Sequence, residues 1–420
     1  MANRHRRKTE ADAGRDLISE LPAEVKERIL ECLPTREAAR TALLSTHWNN
    51  VWLGHGRLVF DPYFFRCFSK SKYGGEKGIA QINTINDILM LRAGPVKKFT
   101  LYLDYASQPP QQSDLDRWCR FISRNGLQEL NLFIWPTYML PSCIFSCRTI
   151  KQLCLGDFIF DFPIPSCIFP SVTSLAFKKV EFSDNVKGIV FTIPNIEELA
   201  FSNCKGISNF EISSPKLESL RVIGYQSCIL DESRWITLYL KTIKTLCLCA
   251  SLLQCKNAEI ATVTFPTAIN LQVIELYDLS VSCQEQLAFV LQLLQHSPNL
   301  CELKITLANG DGLCDITMAT RLLEDPNGCI VKQDLKILNT IMIDWFSGST
   351  LEKLFVKMLL LKSPALERVL IQEYDDIDTS IAVKSLRELL RFPRASRKAQ
   401  IVCMECDNSE ESKLFDYIWF

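Results

Sequence analysis

A hydrolytic Ser/His/Asp or Cys/His centre needs an imidazole, and this chain offers four: His5, His47, His55 and His296. His5 stands in a basic opening stretch, and His47 and His55 lie in or just after one short amphipathic segment, so a catalytic constellation would have to be built around His296. In HSPNL that histidine precedes a helix-breaking proline, where a polar residue at a helix C-terminus is the simpler assignment. Zinc is no better served. Cys403-x-x-Cys406 is the only C-x-x-C pair, and a zinc ribbon wants a second pair or two histidines at matching spacing. Cys247, Cys249 and Cys255 cluster, but alternate cysteines in TLCLCASLL fit packing. Asp375, Asp376 and Asp378 lack the glycine and distal glutamate of a calcium loop. No phosphate-cradling glycine loop occurs. The expectation is a chain with no catalytic residue, no metal site and no cofactor.

If the chain does no bond chemistry, its surfaces must carry the function. Its 420 residues are 47% hydrophobic and 23% charged, which is ordinary for a folded protein and is long enough for two or three domains or one repeat array. Lys+Arg 47 against Asp+Glu 48 leaves a net charge of -1, so no global field draws it to nucleic acid or an anionic membrane. The exception is the cluster Arg4-His5-Arg6-Arg7-Lys8, expected to be a solvated tail. The opening MANRHRRKTEADAGRD has no apolar segment, so the 18 cysteines are expected as reduced thiols in the nucleus or cytoplasm. The longest uncharged run, Leu130 to Cys147, holds Asn131, Pro136, Pro141 and Ser142 and is not expected to span a membrane.

Internal repetition is the strongest signal. An L-x-x-L-x-L pattern recurs as Leu127-Leu130-Leu132, Ile150-Leu153-Leu155, Val172-Leu175-Phe177, Ile196-Leu199-Phe201, Leu217-Leu220-Val222, Ile243-Leu246-Leu248, Leu271-Ile274-Leu276 and Leu300-Leu303-Ile305. The last two apolar residues of each copy are one residue apart, the period of a strand with one face buried. No copy can bury that face alone, so neighbours must stack into a curved parallel sheet. Val96-Phe99-Leu101-Leu103 is an earlier candidate strand. From Leu335 to Val402 the pattern changes, with strand-like 335–343 and 366–371 around a helical 351–361.

The segment LPAEVKERILECLPTREAARTALLSTHWNNVW predicts three short helices. Pro22 suits a helix start, with Val25, Ile29, Leu30 and Leu33 at helical spacing; Thr35 is a candidate cap for the second helix and Ser45 for the third, which aligns Trp48 with Trp52. So few residues do not bury so much apolar side chain by themselves.

These features carry a resemblance. The Leu21-Pro22 start, the Ile29-Leu30-x-x-Leu33-Pro34 centre and the Leu44-Ser45-x-x-Trp48-x-x-x-Trp52 finish resemble an F-box, except that His47 stands where relatives have Lys or Arg. The repeats resemble an irregular leucine-rich array in which only Cys204 clearly supplies the closing Asn or Cys. Glu388-Leu389-Leu390-Arg391-Phe392-Pro393-Arg394-Ala395-Ser396 resembles the signature of the FBD domain. Together they resemble the plant F-box/FBD/LRR-repeat proteins.

The resemblance implies an α/β chain: a basic tail over 1–15, an F-box over 16–55, a leucine-rich-repeat solenoid over 56–334, an α/β FBD region capping it over 335–405, and a tail over 406–420. It further implies a non-catalytic substrate receptor of a cullin-RING ubiquitin ligase. Leu21, Pro22, Ile29, Leu30, Leu33, Leu43, Leu44 and Trp48 would pack on, or directly support, the Skp-type adaptor, with Trp52 internal. A target protein would meet the solvent-facing strand positions Glu129, Asn131, Phe133, Ser202, Arg221, Ile223, Glu275, Tyr277, Glu302, Lys304 and Thr306, of which Phe133, Arg221, Tyr277 and Lys304 are the candidate anchors. An adaptor-binding scaffold that promotes no ubiquitin transfer is the alternative.

Overall fold

Prolines set the limits of the first helices. In the computed structural model, which describes residues 17–66, 74–103, 109–161, 167–224, 234–253, 265–308, 316–324, 329–373 and 379–404, α1 (Ala23–Glu31) starts after Pro22 and α2 (Thr35–Thr41) after Pro34. Thr35 is not the expected cap. Pro34 occupies that place, and the Thr35 hydroxyl accepts the Val59 N–H at 2.8 Å. Ser45 does cap α3 (Thr46–Gly54), accepting the Trp48 N–H at 3.3 Å, and Trp48 and Trp52 both turn inward.

The described residues form two compact units that divide between Ile150 and Lys151. The first holds these helices and then β1 (Arg57–Phe60), α4 (Gly74–Met90), β2 (Lys98–Leu103), α5 (Gln112–Arg124), β3 (Glu129–Met139) and α6 (Ser142–Phe145). The three-helix segment is thus packed into one unit with the first strands. β1, β2 and β3 pair in parallel and align two buried rows, Leu58-Phe99-Leu130 and Phe60-Leu101-Leu132. The apolar run from Leu130 is divided between β3 and α6, and no helix among the described residues is long and apolar enough to cross a membrane. Arg92, just after α4, lays its guanidinium 5.0 Å over the Trp52 ring and donates from Nη2 to the His55 carbonyl. Burial first, and the Arg92 charge second, lower the His55 pKa to about 4.

The second unit follows the L-x-x-L-x-L pattern. Its strands are β4 (Gln152–Phe160), β5 (Ser174–Lys178), β6 (Glu181–Phe182), β7 (Val190–Thr192), β8 (Glu198–Ser202), β9 (Glu211–Ser213) and β10 (Ser219–Ile223); after α7 (Arg234–Thr237) come β11 (Thr245–Cys249) and β12 (Val273–Leu279). Helices then alternate with strands: α8 (Gln284–Gln295), β13 (Glu302–Leu307), α9 (Ile316–Glu324), β14 (Thr340–Phe346), α10 (Thr350–Lys362), β15 (Arg368–Glu373), α11 (Thr379–Leu390) and β16 (Gln400–Met404). The sheet order is β4-β5-β8-β10-β11-β12-β13-β14-β15-β16, all parallel, with β6 beside β4 and a separate β7-β9 pair. In register, Leu153, Leu175, Leu199, Leu220, Leu246, Ile274, Leu303, Ile341, Val369 and Ile401 form one line. The segment after residue 335 therefore extends the same ladder, and Leu338-Ile341-Ile343 and Leu366-Val369-Ile371 are further copies of the motif.

Two devices lock neighbouring repeats. Within the core, Phe177 is fully buried and packs its ring 5.3 Å from Phe160, 5.3 Å from Phe182, 5.6 Å from Phe201 and 5.4 Å from Phe210. At the bends, asparagines just before the first apolar position reach back one repeat: Asn195 Nδ2 donates to the Pro170 carbonyl at 2.8 Å, Asn270 to Lys241 at 2.8 Å and Asn299 to Ile269 at 2.7 Å. Cys204 donates its thiol to the Phe177 carbonyl at 3.4 Å. Gly206, at φ +63°, lies so close to the Phe182 carbonyl that a Cβ has no room. The FBD-like signature works as a similar clasp, with Arg394 donating to the Leu390 and Ala399 carbonyls and Ser396 Oγ to the Leu366 carbonyl.

Phe177→Ala should cost about 3–5 kcal/mol through the cavity it leaves, read as a lowered urea midpoint of the second unit's transition; an unchanged midpoint would contradict the aromatic packing. For His55, the folded pKa is depressed, so the imidazole stays neutral in the folded chain while the unfolded chain takes up a proton near pH 6.5. Its stabilisation is full above that pH and is lost as pH falls toward about 4, by up to about 3 kcal/mol. His55→Gln should flatten this part of the stability-versus-pH curve in chemical denaturation.

Candidate protein-docking surfaces

The three helices bury one face and leave another bare. Leu30 and Ala38 are fully buried and Trp48 is 2% exposed, whereas Leu43 is 87% and Leu44 65% exposed. The local geometry explains the split. Leu43 and Leu44 lie in the turn after α2, where their N–H groups bond the Arg40 and Thr41 carbonyls and their side chains have no helix above them. On α1, Val25 and Ile29 at i, i+4 face outward while Leu30 faces in. Leu17 and Ile18 are also open, Leu21 and Leu33 are half-buried and Pro22 is exposed. Of the expected docking residues, Leu21, Pro22, Ile29, Leu33, Leu43 and Leu44 thus present surface, while Leu30 and Trp48 lie beneath as support.

The support is polar as well as apolar. Lys26, only 5% exposed, donates to the Ser19 carbonyl at 2.5 Å and holds its ammonium 5.9 Å over the Trp48 ring. The Ser19 and Ser45 hydroxyls meet at 3.0 Å, fastening the open Leu17–Ile18 turn to the start of α3. Exposed apolar residues gathered on one short segment in this way mark a protein contact.

In the second unit, strand residues that alternate with the buried rows form outward rows. One runs in register through Cys154, Ala176, Ala200, Arg221, Cys247, Glu275, Lys304, Met342, Leu370 and Val402. Its first members are small and buried, so surface opens at Arg221 and, past the buried Cys247, again at Glu275. Lys304 Nζ lies 3.1 Å from Glu275 Oε1 and 3.5 Å from Glu302 Oε1. Burial pulls the Lys304 pKa down, but the bond to Glu275 and the two carboxylate charges outweigh it and leave the ammonium raised. Burial, with the neighbouring Cys247 and Glu275, pushes the Tyr277 phenol up, so it stays a neutral hydrogen-bonding group.

Of the candidate target anchors, Arg221, Tyr277 and Lys304 are half-buried on β10, β12 and β13 of this sheet. Phe133 is not available. It belongs to the first unit and is 5% exposed, its ring 6.0 Å from Tyr102. Ser202, also expected to face solvent, is 4% exposed. Residues missed in the sequence are Met342, Leu370 and Val402, which continue the row as an apolar strip; their signal was the motif copies at Leu338 and Leu366.

The groups considered for chemistry are dispersed. His296 ends α8, with Nδ1 2.9 Å from the Gln292 carbonyl and its ring stacked on Phe265. Burial raises the Cys154 thiol to about 12 and the Cys119 and Cys247 thiols well above the usual range, leaving them protonated and poor nucleophiles. Among the described residues no three His, Cys, Asp or Glu side chains gather as a metal site. Residues 4–8, Cys255, Asp375, Asp376, Asp378 and Cys406 lie outside the described residues.

Comparison with known proteins finds matches to both parts of the chain. Residues 18–60 match the F-box domain, and residues 115–281 match the family described as FBD-associated F-box protein At5g56370, LRR repeats. F-box/FBD/LRR-repeat protein At1g13570 of Arabidopsis thaliana is 27% identical, over 93% of this chain and 99% of its own length. Two further Arabidopsis thaliana proteins align over about half of each chain: putative F-box/FBD/LRR-repeat protein At4g00315 at 29% identity (54% of this chain, 53% of that protein) and F-box/LRR-repeat protein At2g42720 at 30% (49% and 48%). With the three helices, the repeat ladder and a relative aligned almost end to end in agreement, the chain carries an F-box followed by leucine-rich repeats and is similar over most of its length to a plant F-box/FBD/LRR-repeat protein.

Proposed function

We propose that this protein is the substrate-recognition subunit of a cullin-RING ubiquitin ligase, acting in the nucleus or cytoplasm. The observation that carries the proposal is the bare apolar patch of Leu17, Ile18, Val25, Ile29, Leu43 and Leu44 on a three-helix segment that matches the F-box domain. A Skp-type adaptor covers that patch. Each leucine taken out of water contributes about 1.5–3 kcal/mol before the costs of association, and Leu30 and Trp48 hold the patch rigid from below. The outward row from Arg221 to Val402 holds a target protein, with Arg221, Tyr277 and Lys304 supplying polar anchors and Met342, Leu370 and Val402 an apolar strip.

The receptor performs no bond chemistry in this scheme. Its contribution is proximity: a target lysine fixed beside the ubiquitin-bearing enzyme meets it at an effective concentration on the order of mM. Since the patch is exposed, charge can be placed there without unfolding the chain. Leu43→Asp and Leu44→Asp should each weaken capture of a recombinant Skp-type adaptor by at least ~30-fold with circular dichroism unchanged, and Leu21→Asp and Leu33→Asp should act in the same direction. Wild-type affinity in the Leu43 and Leu44 variants would overturn the docking surface. Proximity labelling under proteasome inhibition, followed by reconstituted ubiquitination of the captured proteins, tests the receptor role; assembly with adaptor and cullin but transfer to no captured protein would favour the scaffold.

A further inference from the structure

The first unit carries a third feature that neither surface uses. α5 buries Leu115, Trp118, Cys119 and Ile122, which fixes its opposite face toward solvent. On that face Arg117, Arg120 and Arg124 are exposed and, with Asp116 and the half-buried Phe121, line an open groove of ≈ 400 Å3. Arg117 is engaged, its guanidinium 2.5 Å from Asp114 on the same helix. Among the described residues, neither Arg120 nor Arg124 has a carboxylate within the 4.0 Å of an ion pair. Two unneutralised guanidiniums therefore flank a groove with an aromatic floor.

We infer that this groove docks an extended acidic segment of a partner protein. The spacing favours it. Arg120 and Arg124 are one turn apart, about 6 Å along the helix, and side chains on the same side of an extended chain recur every ~6.7 Å. Carboxylates at alternate positions can thus each meet one guanidinium, the planar fork matching a carboxylate in two hydrogen bonds. An apolar side chain beside them covers Phe121. Asp116 distinguishes an acidic peptide from a polynucleotide: a peptide places a neutral residue at that point, whereas a sugar-phosphate chain brings uninterrupted charge against the carboxylate. The net charge of -1 likewise supplies no long-range attraction for a polyanion. The groove is thus a site for charge-assisted recognition, separate in residues from the leucine patch and from the outward row, and it does not depend on the proposed receptor role.

The test uses the full chain and a fluorescein-labelled peptide with aspartates at alternate positions and a central leucine, followed by fluorescence anisotropy. Saturable binding is expected, with Arg120→Glu/Arg124→Glu weakening it by about tenfold or more and added salt weakening it in the wild type. A peptide with lysines in place of the aspartates should not bind. Both arginines are exposed, so the variant should keep the wild-type thermal transition; Arg124→Gln, a milder change, should show a smaller loss in the same direction. Equal affinity in wild type and the double variant, no saturable binding, or tighter binding of a single-stranded oligonucleotide of equal charge would each overturn the assignment.

Discussion

Everything in the repeat region follows from one constraint: parallel strands paired in register must place like positions side by side. The backbone ladder spaces neighbouring strands by about 4.8 Å, too close for a large apolar residue to meet a charged one inward without penalty. The line from Leu153 to Ile401 is uniformly aliphatic for this reason. Each strand also inherits its position from its predecessor, since the residue before it donates to the preceding bend: Glu197 to Thr173, Glu218 to Glu197, Lys244 to Glu218 and onward to Glu367 donating to Asn339. Within the first unit, Leu58-Phe99-Leu130 obeys the same rule.

The outward rows are free of this constraint, which is why they vary. Opposite Leu199 and Leu220 inward lie Ala200 and Arg221 outward, and beyond them Cys247, Glu275 and Lys304. A scaffold whose stability sits on one set of alternating positions can change the other set without refolding. The asparagines at 195, 270 and 299 belong to the scaffold side of this division, because each neutralises a carbonyl of the previous bend that the strand ladder does not reach.

In the three-helix segment the balance is reversed. Its helices have too little mutual contact to cover all their apolar residues, and packing against the first strands, through Thr35 to Val59 and Arg92 to His55, secures one face only. The remaining leucines stay in water. Such an arrangement is stable as a platform and leaves apolar area in water that burial would remove at a gain in free energy.

The amino-acid sequence alone determined the inward rows, the three helices with Ser45 as a cap, the internal place of Trp52 and the end of α8 at His296, because each rests on periodicity or on a local cap. Only the tertiary structure decided which of those apolar residues lie open. Val25 and Leu30 look alike in a helical pattern, yet one is exposed and the other fully buried; Phe133 and Ser202 alternate as outward residues and are nonetheless covered. Thr35 gave up a capping role for a strand 24 residues away, and the strands after residue 335 joined the same ladder. Exposure and register are settled by neighbours far off in the chain, so local spacing names the candidates and the packed fold selects among them.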